Sequence, residues 1–531
     1  MKRSVPMLSK IKGFLKNHYL IVTLFFGSTI VVLWTLFRFW TERSIFDLVG
    51  QQVVAREFLE NGFMDATLGA THYIAKIFFV YVPYELLHIE PRLGLIVMTL
   101  FLNIAAFIAI VLAVRSIARS LGVFNKGTFV LAALWLASIA GSVFWIQFAN
   151  SRNIEVAAGM WVLAIGLRFI GKPTLKLGVV WFLLIALAFL MDPLQVYMTG
   201  LPFLLYILAL KINDYRVKVS SVSLRTLLWV LGIFIGGYVV STLSIVIIES
   251  VSGVRIIDSH SSLAGMGALA SQIMDATKGL ILANVRMFGG YVEDGGRLRQ
   301  AIALLGLLFL VGCLGWFALK GKIRSKIVVF LLIFTFIIQG VYFASGQTLK
   351  GDTSRYLIMM APIIMIALSV LPKSKLTKVL ILVISVVVVV NIVSLVSLAT
   401  SSYQDRFSSD ERLSQVAEYI NNNQDVLFYG SMDTALPASF YNPQIKILPL
   451  SCSADGLKRA DTFFPESSFS KYETREVKTK ALIFDIGGVI TNHPVACSID
   501  SATVKLGNPI SREKLGNGME ILYYPADRLS F

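Results

Sequence analysis

Residues 19–40 read YLIVTLFFGSTIVVLWTLFRFW. At a rise of ~1.5 Å per residue, this run as a helix is long enough to cross the ~30 Å hydrocarbon core of a bilayer. Comparable apolar runs recur at 93–114, 127–148, 154–171, 177–191, 194–210, 226–248, 300–319, 327–344, 356–371 and 379–399. Of the 531 residues, 56% are hydrophobic and only 15% charged, which excludes an ordinary soluble enzyme. The pattern predicts a polytopic α-helical membrane protein of about 11 transmembrane helices.

A net charge of +16 raises the question of a nucleic-acid partner, and the placement of the cations answers it. Lys2, Arg3, Lys10, Lys12 and Lys16 precede the first run; Arg115, Arg119 and Lys126 lie between the second and third; Arg168, Lys172 and Lys176 follow the fourth. Further clusters at 211–225, 320–326 and 373–378 continue the alternation. Every second connection carries the cations, so by the positive-inside rule those connections face the cytoplasm. The basicity reports topology, and no nucleic acid is expected. The N-terminus is then inside and the C-terminus outside, with the long polar segments 41–92, 249–299 and everything after residue 400 on the extracytoplasmic side of a cell membrane. The first run is too long for the apolar part of a signal peptide and has no small-residue cleavage site after it, so it is expected to remain as an anchor. Cys313 falls in a span, whereas Cys452 and Cys497 fall in the exported tail, where a disulfide between them stays open.

Two domains follow: residues 1–400, a transmembrane domain with outer loops 41–92 and 249–299, and residues 401–531, a small extracytoplasmic α/β domain. In the tail, an amphipathic stretch SDERLSQVAEYINNN (409–423) precedes the strand-like runs DVLFYG (425–430), IKILPL (445–450), KTKALIFDIGG (478–488) and MEILYYP (519–525). Within it, LIFDIGGVIT (482–491) looks like the first motif of haloacid-dehalogenase-type phosphatases. Only 46 residues follow Asp485, too few for the rest of that domain, so the stretch reads as a buried strand ending in a glycine turn.

The first outer loop begins TERSIFDLVGQQVVAREFLENGF (41–63). As a helix from 47 to 61, steps of 100° place Asp47, Gln51, Val54 and Phe58 within about 40° of one another, with Arg56, Glu57 and Glu60 pointing away. A carboxylate on the inward face, at the membrane surface, suits acceptance of a proton from a hydroxyl group. The competing reading is a helix N-cap, although Gly50 stands where a capping box wants Glu or Gln. The following THYIAKIFFVYVPYELLHIEPR (71–92) is aromatic but interrupted by Lys76, Pro83, Glu85 and Glu90, and is expected to lie along the outer interface.

These features together resemble the GT-C class of membrane glycosyltransferases, which includes the protein O-mannosyltransferases and bacterial aminoarabinose transferases. The resemblance covers the architecture; at residue level it rests on the pattern D...Q..VAREFLENG (47–62) and on SRYLIMMAPIIM (354–365). It implies inverting transfer of a sugar from a polyprenyl-phosphate donor to an extracytoplasmic glycan, lipid or protein acceptor. It also implies that Asp47 is the general base, although Leu48 replaces the second acid of the commoner Asp-Glu pair.

The chemistry asks independently for a base and for positive charge beside the departing phosphate. Among the few outer-side cations, Arg355 beside Tyr356 is the first candidate, with Arg297, Arg299 and Lys350 behind it; the alternative for Arg355 is snorkelling to headgroups. Glu155, in FANSRNIEVAAGM (148–160), is a candidate to bind acceptor or a divalent cation, or to pair with Arg152. The expected substrate-binding set is Gln51, Arg56, Glu155, Arg297, Arg355 and Tyr356. Asp192, before Pro193, reads as a turn residue at the outer surface. The loop 249–299 is too long for a plain connection and is a candidate cover for the site. His260 lacks a Cys or His partner at metal spacing, so no metal ligand is assigned and no cofactor is certain.

The rival reading is a transporter or flippase of lipid-linked sugars. Transporters place ionisable residues near the bilayer midplane and show internal repeats, and neither is evident here. A third reading, an anchored binding domain, does not need so many spans.

Overall fold

The computed structural model describes residues 5–41, 46–61, 67–68, 76–89, 91–122, 124–139, 153–217, 223–256, 272–289, 297–344, 357–431, 434–435, 438–439, 447–453, 456–459, 477–485, 499–515 and 519–529. The helices are α1 Val5–Thr41, α2 Phe46–Asn61, α3 Val82–Glu85, α4 Pro91–Ser120, α5 Lys126–Ile139, α6 Asn153–Gly171, α7 Leu175–Met191, α8 Leu201–Val217, α9 Leu224–Ser252, α10 Ile273–Phe288, α11 Arg297–Leu319, α12 Ser325–Ala344, α13 Met360–Ser369, α14 Lys375–Asn422 and α15 Ile499–Leu506. Strands are β1 Thr67–Leu68, β2 Arg255–Ile256, β3 Val426–Ser431, β4 Ile447–Ser453, β5 Gly456–Arg459, β6 Thr479–Asp485, β7 Ser511–Leu515 and β8 Met519–Pro525. Two π-helical turns, Ile77–Tyr81 and Val196–Gly200, lead directly into α3 and α8.

Among the described residues, 7 helices are long and apolar enough to cross a membrane: His18–Leu36, Ile96–Ser120, Asn153–Gly171, Leu224–Val251, Arg297–Leu319, Ser325–Ala344 and Lys375–Val393. Shorter apolar helices occupy Lys126–Ile139, Leu175–Met191, Val196–Ile212 and Met360–Ser369. The chain is therefore a polytopic helical protein suited to a membrane, with a small sheet near its C-terminus.

The chain divides into two compact units. The first contains Met1–Phe37, Thr99–Ser244 and His260–Leu398; the second contains Arg38–Met98, Ile245–Ser259 and Ala399–Phe531. In the second unit, residues of α2, of β1 and of the turn before β2 share a core with the C-terminal sheet.

Unit 1 is a helix bundle whose core runs from Tyr19 to Val388. Glycines let its helices approach: a Cβ on Gly27 would meet the Phe107 ring at 2.3 Å, and one on Gly166 would meet Phe203 and Trp181 at 2.6 and 2.7 Å. Small residues at helix contacts are the usual means of close packing inside a membrane. Trp181 Nε1 donates to the Val162 carbonyl at 2.8 Å, tying α7 to α6. Apolar side chains also cover the outside, including Ile21, Phe25, Phe101, Leu228, Ile235, Leu308 and Phe336, as lipid contact requires. The segment 249–299 is not simply a loop: α10 sends Ala283, Val285, Met287 and Phe288 into the bundle core. Asn284 and Gln339 exchange hydrogen bonds at 2.9 and 2.6 Å, joining α10 to α12.

Unit 2 is built on a six-stranded sheet of order β5-β4-β3-β6-β8-β7. Strands β4, β3 and β6 are parallel neighbours; β5, β8 and β7 pair antiparallel. The period-2 alternation of each strand sorts its side chains between two faces. Phe428, Ile447, Ala481, Ile483 and Ile521 meet Leu413, Val416 and Ile420 from the end of α14. Leu427, Tyr429, Leu448, Leu450, Leu482, Phe484, Leu522 and Tyr524 belong to a second cluster with Ala502 of α15 and with Val53, Val54, Ala55, Leu68, Ile77, Tyr81 and Val254. β1 pairs in parallel with β2, Thr67 opposite Arg255, which fastens the first outer segment to the second. The LIFD stretch is a central strand, as expected; residues 486–498, including its glycine turn and Cys497, lie outside the described residues. At the β7 edge, the charged run Arg512, Glu513, Lys514 discourages pairing with another chain.

Candidate functional site

In unit 1, a polar ladder is buried at one end of three helices. Thr35 on α1 donates to the Val31 carbonyl at 2.8 Å and accepts from Asn103 Nδ2 of α4 at 3.0 Å. Asn103 Oδ1 accepts in turn from Asn153 Nδ2 at 2.7 Å, and Asn153 Oδ1 caps α6 by accepting from the Ile154 amide at 2.8 Å. All three side chains are at most 2% exposed. Two residues on, in the first turn of α6, Glu155 is fully buried. The positive end of the helix dipole favours a carboxylate there.

The same helix has a second polar neighbour. A Cβ on Gly159, one turn beyond Glu155, would lie 2.3 Å from Gln195 Oε1 and 2.8 Å from Thr199 Oγ1. Thr199 donates to Gln195 at 2.7 Å across the π-helical turn Val196–Gly200, a kind of local irregularity frequent at functional sites. Trp34 Nε1, beside Thr35, and Thr99 Oγ1, one turn before Asn103, are buried without a hydrogen-bond partner among the described residues. Buried polar atoms are nearly always paired, so these two are exceptions next to the ladder. Asp192 accepts from the Leu194 amide at 3.0 Å, which makes it the turn residue expected; it is 3% exposed, however, and not at the surface. Packing around the short α7–α8 connection buries it.

In unit 2, α2 forms where expected and carries Asp47 in its first turn, with the Asp47 side chain outside the described part. The wheel of one inward face is too narrow: residues 51–55 are all buried, so Gln51, Gln52, Val53, Val54 and Ala55 are enclosed on every side. Arg56 does not point away. Its Nε meets Glu85 Oε2 at 3.3 Å, with both side chains under 20% exposed, so the segment carrying α3 folds over that side of α2. Phe58 and Phe78 pack edge to face at 5.3 Å in the same region. Lys76, Ile77 and Tyr81 are likewise buried. Ile77 and Tyr81 of the segment 71–92 belong to the same core cluster as the C-terminal sheet, while Leu86 and Leu87 beyond them are exposed.

Of the expected site residues, Gln51 and Arg56 share α2 with Asp47, while Glu155 and Arg297 belong to unit 1. Arg297 is exposed at the start of α11, and no described contact joins it to Glu155. Arg355, Tyr356, Lys350, Arg152 and His260 lie outside the described residues. Among the described residues no group of three His, Cys, Asp or Glu side chains converges as a metal site. Sequence reasoning missed Asn103 and Gln52. An asparagine inside an apolar run was the available signal for Asn103, since a buried amide in a spanning helix demands a partner. Gln52, whose amide oxygen and nitrogen are both buried without a described partner, differs from Gln51 only by its angle on the helix.

A scan against protein-family models finds no match, and a search of curated proteins finds none.

Proposed function

We propose that the chain is a membrane glycosyltransferase that moves a sugar from a polyprenyl-phosphate donor to an extracytoplasmic acceptor with inversion. The observation that carries this reading is the fully buried Glu155 in the first turn of α6, two residues after Asn153 of the buried Thr35–Asn103–Asn153 ladder. Polar and ionisable groups inside membrane helices are costly and mark functional sites by default. The sequence resemblance at 47–62 and 354–365 supplies the reaction class. In that reading the 7 long helices and the four shorter apolar ones together make eleven spans, with the N-terminus in the cytoplasm.

The steps balance as follows. An acceptor hydroxyl oxygen attacks the anomeric carbon, its proton passes to the Asp47 carboxylate, and the carbon–oxygen bond to the lipid phosphate breaks with its electron pair leaving on the phosphate oxygen. Outer-side cations, Arg355 first and Arg297 after it, stabilise that charge. Glu155 is the candidate to bind acceptor or a divalent cation within unit 1.

A second reading, flipping of a lipid-linked sugar, is favoured by the π-helical interruption at Val196–Gly200 beside the buried Gln195–Thr199 pair. One comparison separates them. Membranes with wild type or Asp47→Asn at matched expression are given radiolabelled sugar on polyprenyl phosphate and a cell-envelope acceptor fraction. Transfer that falls by about 10² or more in the variant supports the enzyme. Equal transfer returns Asp47 to helix capping, and no transfer by either protein across several donors favours the flippase.

A further inference from the structure

Helices α7 and α9 run side by side in the same direction and touch closely along their middles. A Cβ on Gly237 would lie 2.6 Å from the Ile185 side chain and 3.4 Å from the Ala186 backbone nitrogen, and one on Gly236 would lie 3.0 Å from Phe182. Trp181 and Phe234 pack edge to face at 5.3 Å. Toward their N-termini the helices part, and the space between them is not filled. The resulting open groove of about 480 Å³ is lined by Leu175, Gly178, Val179, Phe182, Leu228, Trp229, Gly232 and Ile233, without a charged side chain. That volume lies within the ~300–1,000 Å³ of ordinary ligand clefts. The space beside Gly232 is open, since a Cβ there would meet nothing within 4 Å.

The N-terminal ends of the two helices that border this apolar groove carry exposed cations. Lys176 adjoins Leu175 at the start of α7, Arg225 stands one turn before Leu228 on the stripe that continues to Gly232, and Lys172 lies in the turn leading into α7. All three are exposed, and none forms an ion pair among the described residues. Both helices also present their positive dipole ends here, capped by Thr174, which accepts from the Leu177 amide at 3.3 Å, and by Ser223, which accepts from the Thr226 amide at 3.0 Å. An apolar trough headed by cations and two helix N-termini matches an amphiphile with a hydrocarbon tail and an anionic head. Basic pockets between spanning helices on the cytoplasmic side commonly take such headgroups.

We infer that the groove between α7 and α9 is a binding site for an anionic phospholipid, one acyl chain lying along Gly178 and Gly232 and its phosphate held by Lys176 and Arg225. This goes beyond the proposed transfer reaction and does not depend on it. Under the proposed topology the site opens to the cytoplasmic leaflet, where anionic headgroups are met.

The test uses the full chain, delipidated in detergent and titrated with phosphatidylglycerol, phosphatidylcholine or inorganic phosphate, with bound lipid counted by native mass spectrometry. Phosphatidylglycerol is expected to bind at least 10-fold more tightly than phosphatidylcholine, with inorganic phosphate failing to displace it. Gly232→Leu, which fills open space, should remove one bound lipid without lowering Tm. Lys176→Gln with Arg225→Gln, both at exposed positions, should abolish the preference for the anionic headgroup while leaving weak binding. Equal binding of the two lipids, full displacement by inorganic phosphate, or unchanged lipid stoichiometry in Gly232→Leu would each overturn the assignment.

Discussion

Asn153 Nδ2 donates to Asn103 Oδ1 at 2.7 Å, joining the start of α6 to α4 with both side chains at most 1% exposed. Inside an apolar bundle this bond fixes how far α6 advances toward α4, and therefore where Glu155 stands. Truncating either partner leaves one buried atom of the other amide, Asn103 Oδ1 or Asn153 Nδ2, without this bond, at a cost of about 1–3 kcal/mol. Asn103→Ala and Asn153→Ala should each lower stability, and the double variant should lose less than the sum by about 0.6–1.7 kcal/mol, the range for interhelical bonds in membranes. Unfolding in mixed detergent across the four proteins reads this coupling; additive losses would mean the two amides act independently.

Glu155→Gln keeps the shape of the side chain and removes its charge. Where that charge engages the acceptor, transfer should fall at least about 10-fold through KM, a hydrogen bond to a charged group being worth ~1.5–3 kcal/mol. The melting temperature should stay close to that of wild type. A variant that transfers normally would confine Glu155 to the support of α6.

For Arg56, two roles diverge experimentally. As a strut bonded to Glu85 at 3.3 Å, Arg56→Gln and Glu85→Gln should destabilise unit 2 to similar small extents, about 1 kcal/mol for a half-buried pair. As a contact to the donor, Arg56→Gln alone should raise KM for the lipid. Measuring Tm and KM on both variants tells these apart.

Gly159→Ala tests the contact between α6 and the π-helical turn. The new methyl must displace Gln195 Oε1 from 2.3 Å, and Gln195 is itself buried and bonded to Thr199. Overpacking of this kind costs about 1–3 kcal/mol. Gly171→Ala, with nothing within 4 Å of its Cβ, is the control and should stay within about 0.5 kcal/mol of wild type.

The C-terminal sheet should weaken in alkali. Tyr419 donates to Glu513 Oε2, and the Tyr523 hydroxyl lies within hydrogen-bond reach of both the Tyr419 hydroxyl and, at 3.3 Å, Glu513 Oε2. Burial first, then the bond to Glu513, raises the Tyr419 phenol above its ordinary 10.0. Burial and the Glu513 charge raise Tyr523 as well, against a smaller opposing effect of the Tyr419 bond. Below pH 10 both the folded and unfolded forms hold these protons and the stabilisation is complete. Above it the unfolded chain releases them while the folded chain does not, so stability falls as pH rises. Tyr419→Phe with Tyr523→Phe should flatten the decline in Tm between pH 9.5 and 11; an unchanged slope would assign it to other groups.

The long apolar helices and four of the six strands of the C-terminal sheet were legible because their signals are local. A run such as 379–399 announces a helix by its own length, and KALIFD announces a strand by its own alternation. The edge strands β5 and β7 were not visible, since GLKR and SREKL carry no apolar pattern and become strands only by pairing with β4 and β8. The face of α2 was misread for a related reason. A helical wheel ranks one direction as inside, yet residues 51–55 are enclosed by segments far away in the chain.

From its sequence alone, then, the protein is a many-helix membrane chain with an α/β tail, and its cations label one set of connections. Hydrophobic run length and charge placement settle this, because transfer into a bilayer is decided helix by helix. Tertiary structure alone decided that the first outer segment shares a core with the tail's sheet, that Asn103 meets Asn153, and that Gly178 and Gly232 leave an open groove. Each depends on side chains brought together from distant parts of the chain, and such packing has no signature in any one segment.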